Sequence, residues 1–155
     1  MGIRFVALET DLVRSLQAGQ PDANNQLPER RIAETSGLPC RHCLQLINED
    51  EEYLTLAHRP FPALQPYAEV GPIFLHAAAC ERGGGNSTIP VFLDSPRYIV
   101  RGYGADDRIV YGTGTIAATP EIPAAAQNVF GNAAVNYIHV RSASNNCYHC
   151  RIDRA

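Results

Sequence analysis

A C-x-H-C tetrapeptide that occurs twice constrains this chain more than any other feature. The two copies span residues 40–43 and 147–150, and together they contain four of the five cysteines. Two cysteines three positions apart on a tight turn can direct both thiolates at one ion, and two such pairs complete the tetrahedral coordination that zinc prefers. The repeat therefore predicts a zinc site whose ligands are Cys40, Cys43, Cys147 and Cys150.

The second copy can also be interpreted as part of a β-strand, and this interpretation predicts a different site. Side chains alternate across a sheet, so one face of the hairpin would be apolar. That face consists of Ile138, Val140, Tyr148, Cys150 and Ile152. The opposite face would carry two histidines and two arginines, which suit a carboxylate or a phosphate. The predicted anion site consists of Tyr137, His139, Arg141, His149 and Arg151, with Cys147 beside them.

The zinc site and the regular strand exclude each other. In such a strand Cys147 and Cys150 point to opposite faces, so the orientation of Cys150 decides between the two predictions. A mixed metal site remains open, in which Cys147 or His149 joins Cys40 or Cys43. The cysteines could instead be small hydrophobic side chains of the core. The polar face could simply be solvated, or be covered by the acidic segment 48–52.

Two alternatives to a binding site remain open: a small enzyme that uses a Cys–His pair, and a structural or interaction domain with core cysteines and no site. A neighbouring histidine generates the nucleophilic thiolate, and the chain offers Cys40 with His42 or Cys147 with His149. Dithiol redox chemistry is less favoured, because redox C-x-x-C motifs open a helix in a βαβ unit and no such pattern surrounds residues 40–43.

The remaining histidines and the fifth cysteine carry weaker signals. His58 and His76 each end an apolar strand-like segment, where a histidine is a ligand, a general base or a half-buried structural residue. Cys80 follows an alanine run and is predicted to be a packed thiol.

Short apolar segments separated by turn residues dominate the chain and indicate its fold class. Strands are predicted at residues 3–8, 53–58, 73–76, 97–103, 108–116, 134–142 and 147–152. One helix should begin near Thr10 and end before Gly19, and another should begin at Thr119–Pro120 and end at Phe130. Residues 83–87 are predicted to form a flexible loop. The pattern predicts one α+β domain over residues 1–155, mainly antiparallel β-sheet with two short helices packed on it.

Net charge and hydropathy indicate which partners and which cellular compartment to expect. The net charge is -3, whereas a nucleic-acid-binding surface needs a basic excess. No apolar run reaches the length of a membrane span, and the first residues do not resemble a signal peptide. We therefore expect a cytoplasmic protein without nucleic-acid or membrane partners, whose cysteines are reduced, metal-bound or catalytic.

Four segments of the chain resemble the bacterial domain-of-unknown-function family 1203. They are residues 38–44, 66–76, 105–114 and 137–154. The resemblance extends over nearly the whole chain and implies a bacterial single-domain protein, but no activity, substrate or catalytic residue. The leading hypothesis is a protein that binds a small anion or zinc at the hairpin of residues 137–154, near the turn of residues 40–43.

Overall fold

The computed structural model describes residues 2–155 and contains three antiparallel sheets and two short helices, which confirms the predicted α+β class. The first strands are β1 Ile3–Val6, β2 Glu29–Ile32, β3 Leu38–Pro39, β4 Leu46–Ile47 and β5 Glu52–His58. The others are β6 Gly71–His76, β7 Arg97–Tyr103, β8 Thr115–Ala118, β9 Tyr137–Ser142 and β10 Tyr148–Arg154. The α-helices are α1 Thr10–Gln17 and α2 Ile122–Phe130, and a single 3₁₀ turn, Thr119–Glu121, precedes α2.

The largest sheet has five strands in the order β1-β10-β9-β7-β8. The predicted hairpin between residues 137 and 154 lies at its centre, because β10 pairs with both β1 and β9. Helix α2 covers one face of this sheet. Its buried side chains are Ile122, Ala126, Val129 and Phe130, and their spacing forms one stripe along the helix.

A second sheet has the order β2-β5-β6, and the short hairpin β3-β4 lies beside it. Cys40, which follows β3, forms a parallel bridge with Phe74 of β6. Helix α1 packs through Val13 and Leu16 against the apolar face of β5 and β6. The two sheets therefore have separate apolar clusters, and the β3-β4 hairpin lies at the edge of the second one.

One irregularity in β10 changes which residues share a face. Tyr148 is opposite Arg141, but Cys150 is already opposite Val140, so His149 is the extra residue of a β-bulge. Cys150 and Ile152 face the α2 side, as the strand alternation predicts. Tyr148 lies on the other side, against the ring of His139 at 4.8 Å between ring centres. The bulge thus exchanges the predicted faces of Tyr148 and His149.

Two other segments differ from the strand prediction. The predicted strand 108–116 is interrupted: Ile109 still bridges Tyr103 and β8 begins at Thr115, but residues 111–114 leave the ladder. There the Thr113 hydroxyl accepts a hydrogen bond from the Gly102 N–H and donates one to the Val110 carbonyl. The glycine-rich loop is packed: Gly84 bridges Val6 of β1, and the Gly85 N–H donates to the Phe5 carbonyl at 2.7 Å. Within residues 2–155 neither helix has the length and apolar character needed to cross a membrane.

Candidate metal centre

Three cysteines and one histidine converge where the β3-β4 hairpin meets the end of β6. Their potential ligand atoms all lie within 4.8 Å of one another. The four residues, which we call the Cys₃His cluster, are Cys40, Cys43, His76 and Cys80. Cys40 is completely buried and the other three are partly buried.

Two backbone hydrogen bonds close the turn that carries Cys40 and Cys43, which we call the knuckle. The Cys40 N–H donates to the Gln45 carbonyl at 3.0 Å, and the Leu44 N–H donates to the Cys40 carbonyl at 3.1 Å. Leu44 has a φ of 59°, a left-handed conformation that glycine adopts more easily. Its side chain is 2 % exposed and packs in the apolar cluster beneath α2, so burial offsets the backbone strain.

One backbone contact and two ring contacts fix the position of His76. Its backbone N–H points at the Cys40 Sγ at 3.4 Å, and its Nδ1 lies 3.5 Å from the Cys43 Sγ. On the far side of the ring, Nε2 lies 3.5 Å from Glu51 Oε1. A carboxylate behind the imidazole is typical of histidines that bind metal through their other nitrogen.

Cys80 joins the cluster through its sulfur, which lies 4.0 Å from the Cys40 Sγ. His42 Nδ1 lies 3.1 Å from the Cys80 Sγ, and His42 Nε2 lies 2.9 Å from the Thr10 hydroxyl. Burial lowers the pKa of His42, so the ring is neutral. If the Thr10 hydroxyl donates to Nε2, Nδ1 carries the proton and donates to the Cys80 sulfur. His42 therefore supports Cys80 and does not pair with Cys40.

The cluster stabilises negative charge on sulfur. Hydrogen bonds from the thiols of Cys43 and Cys80 lower the pKa of Cys40. The Cys40 and Cys43 sulfurs in turn raise the pKa of His76 to about 10. The hydrogen bond between the Cys80 and Cys40 sulfurs, followed by the one with Cys43, raises the pKa of Cys80. Cysteine binds metal as the thiolate, and its proton is released when the metal binds. A cluster that favours thiolate therefore favours the binding of a cation.

The structure does not bring together the four cysteines of the C-x-H-C repeat. Cys150 is 1 % exposed in the apolar cluster under α2, where burial raises its pKa above the usual thiol range. Cys147 lies in the β9-β10 turn, with its Sγ 3.9 Å from the Asn145 carbonyl. Cys40 and Cys43 have His76 and Cys80 as partners instead. The four cysteines stay apart because β10 continues through Cys150, and the strand alternation directs the Cys150 side chain into the core.

The residues of the predicted anion site are divided by the bulge. Tyr137, His139, Arg141 and Arg151 share one face of the five-stranded sheet. His149 lies on the other face, against the rings of Phe92 and Tyr98 at 5.6 and 5.2 Å between ring centres.

The charges on the shared face are paired within the protein. Arg141 Nη1 lies 2.5 Å from Glu69 Oε1, and Arg141 Nη2 donates to His139 Nδ1 at 3.0 Å. Arg151 Nε lies 2.5 Å from Asp153 Oδ1. Burial and the nearby guanidinium of Arg141 hold the pKa of His139 well below its usual value. Residues 61–69 cover this face, since Phe61 packs against His139 and Glu69 pairs with Arg141. The acidic segment 48–52 was the predicted cover.

We expect Glu69→Gln to destabilise the fold by about 2 kcal/mol, as measured by urea unfolding. Arg141 is 2 % exposed and would lose its carboxylate partner, whereas the 46 % exposure of Glu69 keeps the effect below that of a fully buried pair. Glu52→Gln is the matched control, because Glu52 pairs with Arg30 at an exposed site and should cost less than about 0.5 kcal/mol. Equal effects of both substitutions would contradict this assignment.

His76 and Cys80 were the residues that sequence reasoning did not connect to the cysteine pair. The signal that could have found them is the spacing H-x₃-C, which resembles the second half of many zinc motifs. The exact repeat of C-x-H-C was the more conspicuous pattern, but its second copy belongs to a strand.

The fold and the cluster define an α+β domain with a Cys₃His constellation. A family described as protein of unknown function, DUF1203, matches residues 37–154, so the chain belongs to this family and the predicted resemblance is confirmed. The matched range includes all four residues of the cluster. Comparison with curated proteins gave no match, and comparison with solved structures gave none either.

Proposed function

We propose that this protein binds one zinc ion through Cys40, Cys43, His76 and Cys80. The observation that carries the proposal is the convergence of four ligand atoms within 4.8 Å, from residues in two separate parts of the chain, 40–43 and 76–80. Three thiolates and one imidazole form a ligand set that suits zinc, and four ligands at these separations suit a tetrahedron.

The surroundings of the cluster support a closed, structural site. Four protein ligands leave no open position for water or substrate, unlike a catalytic zinc site. Glu51 lies behind His76, and His42 lies behind Cys80, so two of the ligands have partners that fix their orientation. The ion would join the β3-β4 hairpin to the end of β6 and to the segment that contains Cys80.

Helix α1 is connected to the same centre. The Arg14 guanidinium donates to the Cys80 carbonyl at 2.7 Å, and the Thr10 hydroxyl contacts His42. A zinc ion would therefore stabilise the packing of α1 as well as the three-stranded sheet.

Metal analysis of protein purified without a chelator tests the proposal. We expect about one equivalent of zinc in the wild-type protein, as for structural sites that contribute to folding. Cys80→Ser and His76→Gln should each lose most of it, because each removes one ligand. Cys147→Ser is the matched control and should keep the wild-type content.

Two results would count against this site. Less than about a tenth of an equivalent of zinc in the wild-type protein, after refolding with excess zinc, would remove the metal-binding function. Loss of zinc in Cys147→Ser with retention in Cys80→Ser would transfer the site to the cysteines of the repeat.

A further inference from the structure

A cleft of about 960 Å³ separates the β3-β4 hairpin from the β7-β8 and β9-β10 ends of the large sheet. This volume is in the range of small-molecule sites. Residues from both sheets line it, including Arg41 and Phe74 on one side and Arg97, Asn145 and His149 on the other. The cleft is separate from the Cys₃His cluster, although Arg41 lies in the chain between two of its cysteines.

Arg41 is a buried cation without an acidic partner. Its side chain donates from Nε to the Tyr148 carbonyl at 2.9 Å and from Nη1 to the Pro39 carbonyl at 2.8 Å. The residue is 3 % exposed, yet no carboxylate of residues 2–155 lies within 4.0 Å of its guanidinium. Buried charges are normally paired, so an unpaired guanidinium at a cleft calls for an external anion.

The remaining donor of Arg41 is available to such an anion. Nη2 has no hydrogen-bond partner in the described part of the chain, and it is not among the polar atoms sealed from solvent. The two carbonyls that hold Nε and Nη1 fix the guanidinium plane, so little side-chain entropy would be lost on binding. Arg97 adds a second, exposed positive charge that has no ion-pair partner among residues 2–155, and Asp94 is the one carboxylate in the described lining.

His149 lines the same cleft. Its Nδ1 lies 3.0 Å from the Cys147 carbonyl, which can only accept, so Nδ1 carries the proton. Burial lowers the pKa of His149 to about 4, so the ring is neutral and Nε2 is its acceptor nitrogen, for which residues 2–155 provide no hydrogen-bond donor. A ligand group with an O–H or N–H could donate to it.

We propose that this cleft binds a small molecule whose oxyanion, a carboxylate or a phosphate, pairs with Arg41 and Arg97. A hydroxyl or amine of the same ligand donates to His149, and its apolar part contacts Phe74 and Ile116. This binding site goes beyond the zinc site and does not require it, since backbone carbonyls hold Arg41.

Titration of ¹⁵N-labelled protein with inorganic phosphate, and separately with acetate, tests the cleft by amide chemical shifts at constant ionic strength. We expect saturable shifts confined to cleft residues such as Ser144 and Asn145. The anion that saturates at the lower concentration identifies the oxyanion class. Arg41→Met should abolish saturation. Arg97→Gln should weaken binding at least threefold, and it leaves the core intact because Arg97 is exposed.

Arg108→Gln is the matched control, because Arg108 is exposed at the other end of β7 and should leave the titration unchanged. Non-saturating shifts spread over the whole surface would overturn the proposal. Wild-type affinity in both Arg97→Gln and Arg41→Met would overturn it as well. The titration is run on zinc-loaded and on zinc-free protein. Saturation in protein that contains no zinc would support the cleft even if the metal site failed its own test.

Discussion

Removal of zinc is expected to lower the melting temperature by about 10 °C. An ion that binds only the folded state contributes about 4 kcal/mol when its free concentration is a thousandfold above the dissociation constant. For a domain of this size each kcal/mol corresponds to roughly 2–4 °C. The Cys₃His cluster connects the β3-β4 hairpin, β6 and, through His42 and Arg14, helix α1. Thermal unfolding with and without a strong chelator measures the shift.

The shift should be reversed by zinc and should depend on the cluster. Adding excess zinc after removal of the chelator should restore the original melting temperature. His76→Gln should melt at the lower temperature whether or not zinc is present, whereas Cys147→Ser should respond like the wild-type protein. A melting temperature that is the same for zinc-loaded and zinc-free wild-type protein would contradict a structural role for the ion.

Gly83→Ala is expected to destabilise the protein by about 3 kcal/mol and to weaken zinc binding. Gly83 lies directly against the knuckle, where its N–H donates to the His42 carbonyl at 2.8 Å. A Cβ at this position would clash with the Cys43 carbonyl oxygen and would lie 2.7 Å from the Cys43 carbonyl carbon. Both are backbone atoms, so no side-chain rotation relieves the clash, and the turn that presents Cys43 must move. Urea unfolding and a competition assay with a zinc indicator measure the two effects.

Gly71→Ala is the control for the added methyl group. Gly71 lies in β6, has ordinary backbone angles and has open space around a built Cβ. Its substitution should change the free energy of unfolding by less than about 0.5 kcal/mol and leave zinc affinity unchanged. If Gly83→Ala behaved like this control, the glycine-rich segment would have no role in holding the knuckle.

Much of the fold could be predicted because local patterns specify it. The alternation of β5, β7 and β10 and the end signals of both helices identified those elements within a few residues. The hairpin return at residues 108–116 was predicted as one strand, but only its two ends pair with β7, because the Thr113 hydroxyl occupies the Gly102 N–H that a continuous ladder would use. The glycine-rich segment was predicted to be a flexible loop, although β1 and the knuckle hold its backbone.

The candidate site could be predicted only in part. Cys40 and Cys43 form a local signal, since both lie in one turn. Their partners depend on the pairing of β5 with β6 and on the bridge between Cys40 and Phe74, which no local pattern reveals. The structure separates His149 from the other residues of the predicted anion face for a similar reason. A single extra residue at the bulge reverses the alternation, and neither the composition nor the spacing of β10 indicates it.

The position of β10 has a consequence for the order in which the protein folds. This strand follows all the others in the sequence, yet it lies between β1 and β9 and contributes Tyr148 to one apolar cluster and Ile152 to the other. During synthesis β1 has to wait for β10 before it can join the sheet, and its unpaired edge stays available to other chains. Both cores are therefore completed by one long-range pairing that comes late in the chain, which favours slow folding.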